Sequence, residues 1–154
     1  MYVLKPGVKK NPLRRWRLPD RIFFGYGACH ILAGVYLQRF PDSGFEAFWI
    51  KPHHGLPGNH IFVANGAVAF DFHGYADTAR LIAHHGKGWT GLHPQWSADI
   101  QPVDFPLLDT ASLNARKMLG PDQYLLDAIP RASKFIDRFA HPCRILEAVA
   151  GSSA

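Results

Sequence analysis

The chain has 154 residues, 47% of them apolar, the length of one ordinary domain with a core large enough to fold without staples. No apolar run reaches the about 18 residues that suggest a membrane span. The N-terminus has neither a signal-peptide apolar region nor a small-residue cleavage site, so a cytoplasmic protein without membrane attachment is expected. The net charge of +5 is uneven: residues 1–21 hold seven bases and one acid, +6, and the other 133 hold ten bases and eleven acids, −1.

Residues 1–21 read as a basic arm carrying Lys5, Lys9, Lys10, Arg14, Arg15, Arg17 and Arg21. Pro6, Pro12 and Pro19 predict an extended or irregular path. Such an arm can contact nucleic-acid phosphates or an acidic partner. It can also be a solvated leader that packs Tyr2, Val3, Leu13 and Trp16 on the domain, the reading favoured by the absence of a nucleic-acid motif.

Residues 22–150 read as a single α+β domain, followed by a fraying tail at 151–154. Ile31, Leu32, Val35 and Tyr36 recur at helical spacing and predict a helix over 28–40, preceded by Gly25 and Gly27 and stopped by Pro41. The aromatic run 45–50 predicts a strand, and 51–59 a loop. Asn65-Gly66 predicts a tight turn between two strands. Further helices are expected over 76–85, 109–119 (capped by Asp109 or Thr110) and 122–140, the last interrupted at Pro130, with a strand near 97–103. The plan is a set of helices packed on an antiparallel sheet.

The hairpin 60–73 has one apolar face, with Ile61, Val63, Val68, Phe70 and Phe72. The other face carries His60, Phe62, Ala64, Ala67, Ala69 and Asp71, and is small enough to take a helix. A loop of Asn65 and Gly66 sets His60 directly opposite Asp71, where an imidazole and a carboxylate can hydrogen-bond. A carboxylate behind a histidine fixes its tautomer and stabilises the imidazolium, as a general base requires.

Cys29 falls at the expected start of the first helix. The positive end of the helix stabilises a thiolate, and unpaired N–H groups there can hold an oxyanion. Gly25 and Gly27 allow a substrate chain to approach the backbone closely, and Tyr26, Gly27, Ala28 and Asn59, beside His60, are the candidates for holding the oxyanion or substrate.

A cysteine opening a helix, then a histidine on a strand, then an acid on the next strand resembles the papain-like and transglutaminase-like superfamily, including its NlpC/P60 branch. The matching pieces are GYGACHILAGVYL, NHIFV and AFDFHGY, within residues 24–74, about a third of the chain. The resemblance implies a papain-like antiparallel sheet with the nucleophile-bearing helix packed on it. It implies Cys29 as nucleophile, His60 as general base and acid, and Asp71 as orienting acid. The implied activity is that of a cysteine peptidase, amidase or acyl transferase on a peptide or small amide, with no cofactor. The family's glutamine upstream of the cysteine has no counterpart before Gln38; Tyr26 or a side chain of the basic arm would replace it.

Two other readings stand beside this one. The chain could be a non-catalytic module of the same fold that binds a partner through its arm. Alternatively, His53, His54, His60, Asp71 and His73 could build a metal site for hydrolysis, although no HExxH spacing is present. His30 reads as incidental, His84-His85 as a helix end, and Trp49, Trp89 and Trp96 as core or pocket walls. Cys29 and Cys143 lie far apart, without CxxC spacing, and a cytosolic setting disfavours a bridge between them.

Overall fold

A computed structural model describes residues 2–142, so Cys143, any bridge from it to Cys29, and the tail at 151–154 lie outside the described residues. The arm is folded, contrary to the extended path its prolines suggested. Pro12 opens helix α1 (Pro12–Trp16), where Asn11 accepts from the Arg14 N–H at 3.0 Å, and Pro19 precedes α2 (Asp20–Gly25). Proline lacks an N–H that the first helical turn leaves unpaired anyway, so it starts a helix as readily as it prevents one. Trp16 and Leu18 pack on the core, whereas Val3 and Leu13 stay exposed. Arg131 ties the arm down through Asp20 at 2.8 Å and the carbonyls of Trp16 and Leu18, both at 2.6 Å.

Helix α3 (Cys29–Arg39) is buried from His30 through Tyr36. A helix apolar around its whole circumference must be covered on all sides. Strand β1 (Glu46–Pro52), hairpin strands β2 (His60–Ala64) and β3 (Val68–Asp71), β4 (Gly74–Asp77) and β5 (Ala98–Pro102) form one antiparallel sheet in the order β4-β3-β2-β1-β5. Ile31, Val35 and Tyr36 of α3 share a core with Ile61, Val63 and Phe70 of the sheet and with Phe135 and Ile136 of α6 (Ala128–Ile136). The opposite sheet face buries Ile50, Phe62, Ala64 and Ala69 against Leu81 of α4 (Thr78–Leu92). The protein is thus α+β, with helices on both faces of a five-stranded antiparallel sheet.

The hairpin register differs from the expected one by two residues. Ala64 pairs with Ala69 and Val63 with Phe70, so residues 65–68 link the last β2–β3 pair, with Val68 already paired to Asp77 of β4. Asn65 Oδ1 accepts from the Val68 N–H at 3.0 Å, which makes Asn65 the first residue of that link. A two-residue slip preserves the faces, but His60 and Asp71 become diagonal neighbours instead of facing ones. The reading also missed β4, which returns through the two-residue turn Phe72-His73 with Asp71 opposite Gly74.

Gly74 has φ 97°, and a Cβ there would overlap the Phe139 ring. Gly74→Ala is expected to lower the unfolding free energy by about 2 kcal/mol, roughly half from the left-handed backbone and half from overpacking. Gly66, also left-handed at φ 95° but with open space around its Cβ position, should lose only the backbone part. Urea midpoints at unchanged slope would show this; equal losses at the two sites would rule out the packing contribution.

Other boundaries moved for reasons of packing or capping. Helix α4 starts at Thr78, capped by Asp77, and runs past Gly86 because Trp96 covers that glycine and Trp89 packs over Gly58. Helix α5 (Thr110–Asn114) is capped by Asp109 but ends early. Pro130 lies in the first turn of α6, behind the Asp127 cap, and does not interrupt it. Among the described residues, no helix is long and apolar enough to cross a membrane.

Candidate active site

Helix α3 begins where the chain turns at Gly27, φ 138°. The Tyr124 hydroxyl holds the Gly27 carbonyl at 2.7 Å, and the carbonyl of buried Ala28 accepts from the Ile31 and Leu32 N–H groups, both at 3.1 Å. Cys29 is therefore the first helical residue. It retains solvent access although protein closely encloses its sulfur. The α3 start abuts β2, where the Ile61 N–H donates to Cys29 Sγ at 3.4 Å.

His60, the first residue of β2, is 2% exposed, and its Nε2 lies 2.9 Å from Asp71 Oδ2. The diagonal register suffices because both side chains reach toward each other at the strand ends. Asp71, 3% exposed, also accepts from the His73 backbone N–H at 2.8 Å and lies 3.2 Å from His73 Nδ1. His60 Nδ1 is buried without a well-aligned hydrogen bond. It is the ring nitrogen left for the Cys29 thiol, in a loose approach of the kind common in unliganded sites.

Burial by itself would raise the Cys29 thiol. Hydrogen bonding and charge from His30 and His60 outweigh it and bring the thiol down to about 5. Burial would lower His60, yet Asp71 and Cys29 outweigh it and raise the imidazole to about 10. Burial likewise opposes ionisation of Asp71, but His60 and His73 hold its carboxyl well below the usual carboxylate range. At neutral pH the three groups stand as thiolate, imidazolium and carboxylate.

Two further histidines shape this pair. His85 stacks on His60, centroids 5.2 Å apart, and its Nε2–H donates to the Gly58 carbonyl at 2.8 Å. Burial, then the charge of His60, push His85 down to about 4, so it is neutral against the imidazolium. His30 is not incidental: it is buried, its Nε2–H donates to the Leu119 carbonyl at 2.7 Å, and it acts on the thiol. Because α3 is apolar all round, its periodicity could not single out His30. The 117–120 segment that covers it comes from a distant part of the chain.

Cys29, His60 and Asp71 line one cleft of about 1250 Å³ with Tyr26, Gly27, Asn59, Trp49 and Trp89. Asn59 Oδ1 accepts from Trp49 Nε1 at 3.1 Å. Burial raises the Tyr26 hydroxyl, whose oxygen accepts from the Tyr2 backbone N–H. Trp96 packs in the α4 core. Of the histidines expected at a metal site, His60 and His73 meet at Asp71, whereas His53 lies elsewhere, 2.8 Å from Ser97 Oγ and 3.0 Å from Asp99. Among the described residues, no group of three or more His, Cys, Asp or Glu side chains is arranged to hold a metal ion.

Comparison with family models, with curated proteins and with solved structures finds no match for this chain.

Proposed function

We propose that the protein is a cysteine hydrolase or acyl transferase of papain-like design, acting on an amide, peptide or other acyl substrate through Cys29, His60 and Asp71. The observation that carries this reading is the buried His60–Asp71 hydrogen bond set beside the Cys29 thiol, where α3 meets β2.

The Cys29 thiolate attacks the acyl carbon, forming a C–S bond and moving the carbonyl electron pair onto oxygen. The Cys29 and His30 N–H groups, in the unpaired first turn of α3, face that oxyanion. His60 gives its Nδ1 proton to the leaving amine or alcohol as the tetrahedral species collapses to a thioester. Water or a second amine then attacks the thioester, with His60 taking its proton and Cys29 leaving again as thiolate. Asp71 keeps Nε2–H engaged throughout, so that Nδ1 stays directed at the reacting atoms.

Treatment with p-nitrophenyl acetate tests the reading. The expected result is a stoichiometric burst of p-nitrophenolate and an acetyl group on Cys29, both absent from Cys29→Ser. A chain that only binds a partner would release no burst and leave Cys29 unmodified.

A further inference from the structure

The cleft around Cys29 is lined by six cationic side chains, Lys9, Arg15, Arg21, Arg80, Lys87 and Lys117. Among the described residues, the carboxylate that lines it is Asp71, already held by His60 and His73. None of the six forms an ion pair among the described residues, whereas Arg39, Arg131 and Arg138, outside the cleft, all find aspartates. Among the described residues, the acids other than Asp71 thus lie outside the cleft, while six cations line it.

Lys9 and Arg15 lie beside the Gly27 turn that precedes Cys29. A Cβ at Gly27, two residues before Cys29, would lie 3.4 Å from Arg15 Nη2 and 3.9 Å from Lys9 Cε. The Arg15 guanidinium lies over the Tyr124 ring at 5.7 Å, and the Tyr124 hydroxyl holds the Gly27 carbonyl. Lys9 is exposed as a residue, yet burial of its ammonium and the charge of Arg15 lower its pKa. The Cys29 thiolate acts on Lys9 in the opposite direction but does not outweigh them; two neighbouring cations repel one another, and a bound anion relieves that cost. Lys117, a non-glycine residue at φ 60°, adds a strained backbone at the same cleft.

We propose that Lys9 and Arg15 form an anion subsite beside Cys29, and that the substrate is an acyl compound carrying a carboxylate or phosphate group close to the carbonyl under attack. The proposal rests on Cys29 being the nucleophile. It gives the folded arm a role, because the arm's excess charge is delivered into the cleft.

Alkylation of Cys29 by iodoacetate, an anion, compared with neutral iodoacetamide, isolates the subsite. The ratio of the two rates cancels the thiolate fraction, and neither alkylation forms an oxyanion. Relative to β-mercaptoethanol, the protein should favour iodoacetate, and the preference should shrink as salt is raised. In Lys9→Met/Arg15→Met the ratio should fall on the order of tenfold, the size of one or two screened charge pairs. Lys10→Met and Lys134→Met, outside the cleft, should leave it unchanged. Protection from labelling by inorganic phosphate or by acetate then identifies which anion is preferred.

A wild-type ratio equal to that of the free thiol and insensitive to salt overturns the subsite, even if the double variant does not fold. An unchanged ratio in a folded double variant overturns it as well. If neither reagent labels Cys29, the nucleophile reading falls and the subsite falls with it.

Discussion

Replacing His60 with alanine is expected to move the acid midpoint of Cys29 alkylation by iodoacetamide from about 5 toward the ordinary thiol range. Burial, the largest influence on this thiol, opposes ionisation and remains in the variant. His60 supplies both a hydrogen bond and a charge in the other direction, and its loss leaves His30, the Ile61 N–H and the start of α3 to favour the thiolate. Were the midpoint to return fully to 9.0, about one thiol in a thousand would be ionised at pH 6. Each tenfold loss of acidity returns about threefold in intrinsic nucleophilicity, so the rate at pH 6 should fall on the order of tenfold. His30→Ala should shift the midpoint in the same direction. For amide substrates, turnover in the unaltered protein should rise through about 5 and fall through about 10, as Cys29 ionises and His60 loses its proton. A midpoint that stays near 5 in His60→Ala would remove His60 from the pair.

Asp71→Asn is expected to cost about 3 kcal/mol of stability, the cost of breaking a buried ion pair from one side. The amide preserves shape and can still accept from Nε2–H, but once Cys29 is also replaced by serine it leaves a buried imidazolium without a counter-charge. The loss depends on pH. Asp71, held below its ordinary 3.8, stabilises the fold above that value and ceases to do so as pH falls through its low folded value. His60, held above its ordinary 6.5, stabilises below that value and ceases to do so as pH rises through its raised folded value. The difference between the two proteins should therefore be greatest between about pH 4 and 6.5 and shrink on both sides. Urea titrations in a Cys29→Ser background, which removes the thiol's own titration, would measure it. Equal midpoints for the two proteins at pH 5 would show that Asp71 does not pair with His60 as an ion.

Much of the site's local grammar lies in the order of residues alone. The period-two placement of the large apolar residues over 60–72 assigns Ile61, Val63 and Phe70 to one sheet face and His60 and Asp71 to the other. That assignment survives the two-residue slip because the side-chain period is two. Gly27 before an apolar run places Cys29 at a helix start for an equally local reason, the turn a positive φ permits. Which residues then meet is a different matter. The His60–Asp71 contact is diagonal because Asn65 caps its own loop, a choice between turns of similar cost that β4 helps to settle. The folding of the proline-rich arm depends on Arg131, more than a hundred residues away. His30 became part of the site through Leu119, and the cations gathered around Cys29 come from the arm, α4 and the 117–119 segment. Periodicity and turn chemistry act within a few residues, so the sequence by itself determined the faces and the helix start. Burial and charge act through space, so only the tertiary structure decided what surrounds the thiol.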